Sequence, residues 1–389
     1  MHETETLVIG GGIVGLAFAW EAARQGRQVT ILERSPAARG ATVRNFGMVW
    51  PIGQPAGKRH ALAMASRRRW LELRDAAGVW VGECGSLHAA TEPDELAVLE
   101  EFAKASAAGE IDCELLAGPE AVARFPTLAP GVIGALWSPT ELVVDATTAA
   151  AVIAVYLAEA HGVDIRFDTP VLAVDMPEVS TADGSRWRAE EVIVCGGADF
   201  QLLFPEAWKA SGMRRCKLQM MRTPVQPRGW RMGPHLAGGL TLTHYPAFAA
   251  CPSLPALRQR FTESLPHHVA AGIHVMASQN AAGEVILGDS HDLDTPESPF
   301  DDCRIDELIL DYAHRFMRLP DWRIATRWHG IYARPAEGAC SFFAEPQPGC
   351  TIVGSPGGAG MTLAFGLAEA WWDTRGPARA AAGGCAADG

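Results

Sequence analysis

A glycine-rich turn near the N-terminus has the spacing that brings polypeptide backbone against a diphosphate. The apolar run 6–9 leads directly into Gly10, Gly12 and Gly15. Glycines at these positions allow a tight turn, close backbone approach to a pyrophosphate and packing of the next helix on the sheet. Glu33 ends the following apolar run, where a carboxylate can accept hydrogen bonds from ribose hydroxyls. The pattern predicts a dinucleotide site, and its candidate residues are Gly10, Gly12, Ile13, Val14, Gly15, Glu33 and Arg34, of which Arg34 either contacts an adenosine phosphate or faces solvent.

Two more glycine-rich segments follow apolar runs farther along the chain. The run 191–195 leads into Gly196 and Gly197, and the run 349–354 leads into the glycine cluster 355–362. Apolar residues on both faces are typical of buried parallel strands. The last cluster also opens an apolar helical segment, so its backbone amides and the helix dipole would face whatever lies beyond the strand ends.

The remaining elements must hold these turns in place. Helical spacing predicts helices over 58–80 and 92–108, and over about 145–160 with Asp145 as the N-cap. From about 215 to 325, alternating residues between Pro and Gly turns predict a separate antiparallel sheet. The predicted fold class is therefore α/β with an α+β second domain.

Composition limits the classes of function. A chain of 389 residues is expected to form two joined domains, and its net charge of -12 argues against nucleic-acid binding. A small anionic substrate stays compatible, because a few converging arginines reverse the potential locally. The nine cysteines show no paired pattern, and no apolar run has the length of a membrane span. We therefore expect a cytoplasmic protein with no nucleic acid partner and no membrane span; its oligomeric state stays open.

The three glycine motifs, in this order, resemble those of the FAD-dependent D-amino-acid oxidase, glycine oxidase and sarcosine oxidase family. The segments 43–51 and 217–223 are similar to a subgroup associated with phosphonate catabolism. The resemblance implies a Rossmann-type FAD-binding domain and an antiparallel-sheet substrate domain. The expected division is 1–80, 141–214 and 326–376 for FAD binding, 81–140 and 215–325 for substrate, and 377–389 as a tail.

The same resemblance assigns residues to the flavin. The loop after the second strand would wrap the cofactor, the backbone of Val171 would meet the adenine, and the C-terminal turn would face the flavin ring. The implied contacts are Ala41, Thr42, Arg44, Asn45, Phe46, Gly47, Met48, Val171, Cys195, Gly196, Gly197, Gly354, Gly357, Gly358, Gly360, Met361 and Thr362.

Substrate residues are implied by the segment 328–335. In the family, an arginine just before proline binds the substrate carboxylate, which makes Arg334 the candidate anion anchor. A guanidinium suits carboxylate and phosphonate alike. The other candidates are Tyr332, His329, Arg222, His244 and Tyr245, with Lys217 and His291 as further partners for a dianion.

Two departures from the family concern the flavin's reactivity and attachment. Ile286 stands where the sarcosine oxidase branch has a lysine that assists oxygen reduction, and Cys340 is too far along to serve as that branch's covalent tether. We therefore expect non-covalent FAD. No acid–base dyad or metal-ligand spacing stands out, so no metal is predicted.

The resulting hypothesis is a FAD-dependent oxidoreductase that oxidises the C–N bond of a small anionic amine. The favoured substrate is 2-aminoethylphosphonate or an N-alkyl derivative, giving an imine, then aldehyde plus amine, with O2 reduced to H2O2. The alternatives are a glycine, sarcosine or D-amino-acid oxidase, a flavin dehydrogenase with another electron acceptor, and a flavin-binding module without turnover.

Overall fold

The computed structural model describes residues 1–106, 109, 111–293, 297–335, 341–354 and 356–375. The strands are β1 (His2–Ile9), β2 (Val29–Leu32), β3 (Met48–Val49), β4 (Val81–Glu83), β5 (Ser86–Ala90), β6 (Glu114–Ala117), β7 (Gly134–Ser138), β8 (Leu142–Val144), β9 (Asp164–Arg166), β10 (Val171–Asp175), β11 (Glu178–Thr181), β12 (Arg186–Val194), β13 (Arg214–Val225), β14 (His235–Ala237), β15 (Met276–Gln279), β16 (Glu284–Gly288), β17 (Thr326–Arg334), β18 (Phe342–Gln347) and β19 (Cys350–Gly354). The α-helices are α1 (Ile13–Arg24), α2 (Lys58–Ala77), α3 (Pro93–Ser106), α4 (Gly118–Arg124), α5 (Ala146–His161), α6 (Pro205–Ser211), α7 (Leu240–His244), α8 (Leu254–Ser264), α9 (Pro266–Ala270), α10 (Cys303–Phe316) and α11 (Gly360–Asp373). The expected tail 377–389 and Cys340 lie outside the described residues.

The first sheet carries all three glycine motifs at the carboxyl ends of its parallel strands. Strands β9, β2, β1, β12 and β19 are parallel neighbours in that order, and β10, β11 and β18 add antiparallel pairs at the far side. Leu7 and Val8 are fully buried on opposite faces of β1. Helices α1, α5 and α11 pack on one face, and Asp145 caps α5 by accepting from the Thr147 amide at 3.1 Å.

The second sheet has the order β17-β13-β16-β15-β14-β5-β7-β6, and each neighbouring pair is antiparallel except β14 with β5. The alternating pattern from 215 onward indeed forms strands of one sheet, and residues 81–140 contribute three more. The α/β fold with an antiparallel second sheet is therefore confirmed.

The two halves are interleaved along the chain and joined by a small antiparallel sheet, β3-β8-β4. One strand departs from the expected division. Strand β17 lies within the predicted FAD-binding segment 326–376, yet it pairs along its whole length with β13 of the second sheet. The reason is that β13 is long enough to pair with all nine residues of β17. The sequence motif around Arg334 does not reveal this pairing, because β13 is far away in the sequence. Across the described ranges, no helix combines the length and apolar character needed to cross a bilayer.

Candidate active site

One elongated cavity of about 770 Å³ runs from the carboxyl ends of the first sheet to the surface of the second. The glycine turn after β1 and the residues that follow β2 line one end. The loop 41–48 and the turn before α11 line the middle, and strands β13 and β17 with the residues around β15 and β16 line the other end. This shape brings most of the predicted cofactor residues and four of the substrate candidates into one continuous space.

The nucleotide end is formed by backbone held at close range. Gly10 has φ +110°, and a Cβ there would lie 2.4 Å from the carbonyl oxygen of Cys195. A Cβ on Gly15 would lie 1.9 Å from the Gly10 oxygen, so helix α1 can pack this closely only on glycine. Glu33 accepts from the amides of Gly11 at 2.7 Å and Ser35 at 2.9 Å, which fixes its carboxylate at the cavity wall.

Arg34 also lines this end, so contact with an adenosine phosphate stays a prediction. Its guanidinium forms an ion pair with Asp199, which sits on the loop after the second glycine motif. The pair bridges the ends of β2 and β12 across the cavity mouth. Cys195, Gly196, Gly197 and Val171 line the same region.

The loop after β2 is folded by its own side chains. The Thr42 hydroxyl accepts from the Ile13 amide at the start of α1 at 2.9 Å, and the Asn45 amide donates to the carbonyls of Ala41 and Thr42 at 2.9 Å each. Arg44 lines the cavity, and its guanidinium donates to the His329 carbonyl at 3.4 Å. Ala41, Thr42, Asn45, Phe46 and Met48 line the cavity too.

Gly47 does not line the cavity, which corrects its predicted cofactor contact. Its φ is +71°, and a Cβ would lie 2.0 Å from the Val144 oxygen, so the glycine serves the junction between the loop and β8. Gly354 is likewise absent from the cavity wall. It ends β19 beneath Phe342, where a Cβ would come within 2.8 Å of that side chain.

The C-terminal turn points the start of α11 into the cavity. Gly357, Gly358, Gly360, Met361 and Thr362 all line it. Gly358 faces Tyr332 of β17, with the ring and hydroxyl 3.6 Å from the place of a Cβ. The Thr362 hydroxyl accepts from the Trp50 amide at 2.9 Å and so ties α11 to the loop after β3.

These features fit FAD. The cavity is long, two helices of the first sheet begin at its wall, and glycines bring bare backbone to its surface. The indole Nε1 of Trp50 and the Oε1 of Gln54 are buried in the wall without a hydrogen-bond partner among the described residues. Buried polar atoms without partners are costly, so a polar ligand in this space would stabilise the wall.

At the substrate end, Arg334 and Tyr332 of β17 meet His244 and Tyr245 at the end of α7, as the sequence predicted. Arg334 is half-buried, and none of the carboxylates in the described residues pairs with it. Its charge lowers the pKa of the neighbouring imidazoles, and burial raises the pKa of Tyr245 and Tyr332 far above the range in which they ionise. This end therefore offers one fixed cation among neutral groups.

Three predicted substrate residues lie elsewhere. Arg222 pairs with Glu284 at 3.0 Å on the far part of β13, and His329 is hydrogen-bonded to Asp301 at 2.9 Å. Lys217 is buried beside Asp301, also at 2.9 Å, and lies outside this cavity. Lys217 and His329 sit on strands that reach the cavity, but they lie on the opposite face from Leu218 and Tyr332, because neighbours along a strand alternate in direction. Arg222 shares the face of Leu218 and Met220, but it lies farther along β13, beyond the cavity, where Glu284 pairs with it. Arg222 and His329 are therefore corrected as substrate residues.

The sequence analysis missed His274 and Asp289, and it named His291 only as a further partner. All three line the cavity beside His244. His274 precedes β15 and Asp289 follows β16, and their backbones pair at 3.2 and 2.9 Å. Solitary polar residues in an apolar strand pattern were the available signal; only the strand pairing reveals that they meet.

The chain matches the family model described as FAD dependent oxidoreductase over residues 5–371. It is 23% identical to an opine oxidase component of Agrobacterium tumefaciens (strain Ach5) over 382 residues, which is 94% of this chain and 91% of that protein. Its fold matches glycine oxidase from Bacillus cereus ATCC 14579 with a TM-score of 0.76 and 19% identity, covering 95% and 94% of the two chains. L-proline dehydrogenase from P. horikoshii matches with a TM-score of 0.76 and 20% identity, covering 97% of this chain and 95% of that one.

The family match includes all three glycine motifs, and the cavity they line has the length and the backbone surfaces that the cofactor needs. The protein is therefore an enzyme that uses FAD, and this chain belongs to the FAD-dependent oxidoreductase (DAO) family.

Proposed function

We propose that the protein oxidises the C–N bond of a small amine that carries an anionic group. The observation that carries this proposal is Arg334, a guanidinium without a carboxylate partner among the described residues, at the end of the cavity opposite the nucleotide turn. FAD supplies the two-electron acceptor for a hydride from the carbon next to nitrogen. The residues of this chain supply binding and orientation, which bring that carbon to a fixed place.

The favoured substrate is 2-aminoethylphosphonate or an N-alkyl derivative. Arg39, Arg44 and Arg334 line the cavity and have no carboxylate partner among the described residues, so they favour an anionic ligand there in a chain of net charge -12. Imidazoles beside Arg334 add hydrogen-bonding groups that a dianion can use. Glycine, sarcosine and D-amino acids are the nearest alternatives, in keeping with the glycine oxidase and L-proline dehydrogenase among the structural matches.

The test is the visible spectrum of the purified protein, recorded anaerobically during separate additions of 2-aminoethylphosphonate, its N-methyl derivative, glycine, sarcosine and D-alanine. Loss of the oxidised flavin bands with a phosphonate at lower concentration than with the carboxylates is the expected result. Reduction by the carboxylates alone would replace the phosphonate with an amino acid. Bands unchanged by every amine would contradict amine oxidation for these substrates.

The electron acceptor is open between O2 and another carrier. Ile286 is buried against Leu218, Met220 and Tyr332, so an apolar side chain occupies the position at which the sarcosine oxidase branch has its lysine. This environment supports slow reaction with O2. Faster turnover with an artificial dye than with O2 is the result expected for a dehydrogenase.

We also propose that FAD is held without a covalent bond in the cytoplasm. Among the described cysteines, Cys195 lines the cavity, and burial raises the pKa of its thiol so far that no thiolate forms at neutral pH. Release of all flavin into the supernatant on acid precipitation is expected. Flavin retained by the precipitate would contradict it.

A further inference from the structure

Four titratable residues form a compact group at the substrate end of the cavity, which we name the histidine cluster: His244, His274, Asp289 and His291. The ring centroids of His244 and His274 are 3.8 Å apart. The ring centroid of His291 lies 4.6 Å from that of His244 and 4.9 Å from that of His274. The members come from the end of α7 and from the facing ends of β15 and β16. Long-range pairing of these strands therefore builds the cluster.

The carboxyl of Asp289 lies beside two rings of the cluster. Its Oδ1 lies 3.0 Å from Nε2 of His274, and its Oδ2 lies 4.0 Å from Nε2 of His291. Nδ1 of His291 donates to the Gly272 carbonyl at 3.1 Å. That bond fixes the tautomer of the neutral ring, so the lone pair of His291 is on Nε2, the atom that faces Asp289.

The cluster is neutral before substrate binds. Burial lowers the pKa of His291 to about 4 and lowers the pKa of His244 and His274 well below the usual value. Burial also raises the pKa of Asp289 well above its usual range. The imidazoles thus keep their lone pairs at neutral pH.

The ring orientations suit proton exchange and do not suit a metal ion. The ligand-type nitrogens lie within 4.8 Å of one another. However, His274 is tilted by only 29° from His244 and 23° from His291, so the rings are stacked. An imidazole binds a metal in its own plane at about 2.1 Å, and stacked planes do not share such a point.

Amine oxidation creates a need for a proton acceptor at this place. A substrate amine is an ammonium ion at neutral pH, and hydride can leave the adjacent carbon only when the nitrogen has its lone pair. Arg334 is a permanent cation, and Tyr245 and Tyr332 are held as neutral phenols. Among the described groups at this end, the imidazoles are the ones with a free lone pair.

We propose that the histidine cluster is the general base of the reaction and that Nε2 of His291 accepts the ammonium proton. This inference rests on the proposed oxidation of an amine. The N–H bond breaks, its electron pair stays on the substrate nitrogen and the proton binds to His291. Asp289 is a positioning residue: once His291 is protonated, the Asp289 carboxyl passes its own proton to His274, and the carboxylate left between the two charged rings stabilises both.

Binding of the substrate's anionic group raises the pKa of the imidazoles in the cluster. The charge of Arg334 lowers the pKa of His244, His274 and His291. An anion paired with Arg334 cancels that effect, so the imidazoles become more basic only when substrate is in place. The titratable and charged groups that face the cluster from neighbouring elements are Cys216 of β13, Tyr245 after α7, and Tyr332 and Arg334 of β17.

The main test is the anaerobic rate of flavin reduction as a function of pH, for two substrates whose ammonium pKa values differ. In the unmodified protein we expect one apparent pKa, well below both ammonium values and common to both substrates. In His291→Gln, the rate at pH 7 should fall about 100-fold and recover only as the pH approaches the ammonium pKa of each substrate. Added imidazole should restore part of the rate.

His268→Gln is the matched control, because His268 is also a buried histidine bonded to a backbone carbonyl, that of Leu308 at 3.2 Å, away from the cavity. Its profile should equal that of the unmodified protein. If His291→Gln does not bind FAD, the pH dependence of flavin reduction in the unmodified protein still tests the proposal. An apparent pKa that follows each substrate's ammonium group would overturn it. A profile of His291→Gln equal to the unmodified one would overturn it as well.

A second readout needs no turnover. Calorimetry with methanesulfonate, an anion with no amine and no proton to exchange in this range, in two buffers of different ionisation heat should reveal proton uptake between pH 4 and pH 6 that His291→Gln abolishes. No uptake would overturn the link between Arg334 and the cluster. If no amine reduces the flavin of the unmodified protein, the proposed function itself fails; if amines reduce it and the tests above give the opposite results, only the base assignment fails.

Discussion

The two ends of the cavity are specified by different kinds of information. At the nucleotide end, Gly10 and Gly15 allow backbone contacts that a single Cβ would block. At the substrate end, Arg334 and the histidine cluster act through side chains from separate strands. Backbone surfaces require a fixed spacing of glycines within one segment, whereas a side-chain constellation requires only that distant positions meet. The first is therefore readable from a motif, and the second is not.

The largest effect should come from adding one methyl group at the nucleotide end. Gly15→Ala places a Cβ against the Gly10 oxygen, so the start of α1 must shift, and FAD affinity should fall about 100-fold or more, equal to about 3 kcal/mol. The FAD affinity is measured from the flavin absorbance while the apoprotein is titrated with FAD. Gly131→Ala is the control, since nothing lies within 4 Å of a Cβ there. Equal FAD affinity of both variants would remove the backbone argument.

At the substrate end, the largest effect should come from a charge. Arg334→Gln keeps a hydrogen-bond donor but removes the cation, so kcat/KM for an anionic amine should fall about 100-fold while FAD binding is unchanged. An uncharged amine of similar size should be affected much less. Arg323→Gln is the control, because Arg323 is exposed, lies outside the cavity and pairs with the nearby Asp321. A loss that is the same for charged and uncharged amines would contradict an anion anchor.

A pH effect on stability should separate the two ends further. His235 of β14 is buried, and burial lowers its pKa to about 4, while its Nε2 lies 3.0 Å from the Leu142 carbonyl. The unfolded chain binds this proton below about pH 6.5, so the stabilising contribution is complete above that pH and is lost as the pH falls toward 4. Between pH 8 and pH 5 the loss is on the order of 2 kcal/mol.

His235→Gln should lack that part of the pH dependence in urea unfolding, although its stability at pH 8 falls. His2→Gln, at an exposed position of the first sheet, is the control. An unchanged difference between pH 8 and pH 5 would contradict the assignment.

The smallest effect concerns a residue that the sequence placed in the site. Arg222→Gln breaks the partly exposed pair with Glu284 and should lower the free energy of unfolding by about 1 kcal/mol, with kcat/KM unchanged. Thermal unfolding measures the loss of stability, and steady-state kinetics measure kcat/KM. A large loss of kcat/KM with intact FAD binding would return Arg222 to the substrate site.

Much of the nucleotide end could be predicted from the sequence. Gly10, Glu33, Asn45 and Gly358 lie at the cavity wall as expected, because each belongs to a local motif whose geometry is set by near neighbours. Gly47 was misassigned because a glycine needed for a left-handed turn looks the same in sequence as one that contacts a ligand.

The substrate end was predicted less completely. Arg334 was found through the proline that follows it, but Asp289 and His274 have no local signature. His274 and Asp289 are 15 residues apart in sequence. They meet because β15 pairs with β16 in this register and because α7 lies beside the two strands. His329 failed because the face to which its side chain points was not predicted. Arg222 failed because it lies on β13 beyond the reach of the cavity, beside Glu284.

The placement of α11 has a consequence for biosynthesis. Strand β1 is synthesised first, yet β12, β19 and α11 complete the space around its glycine turn, and Trp372 donates to the Phe18 carbonyl of α1 at 3.0 Å. While the chain is still on the ribosome, the N-terminal motif has β2 beside it, but it lacks β19 and α11 for most of translation. We therefore expect FAD to be captured only after α11 has emerged, so that cofactor supply acts on chains that already contain α11 and apoprotein accumulates when flavin is scarce.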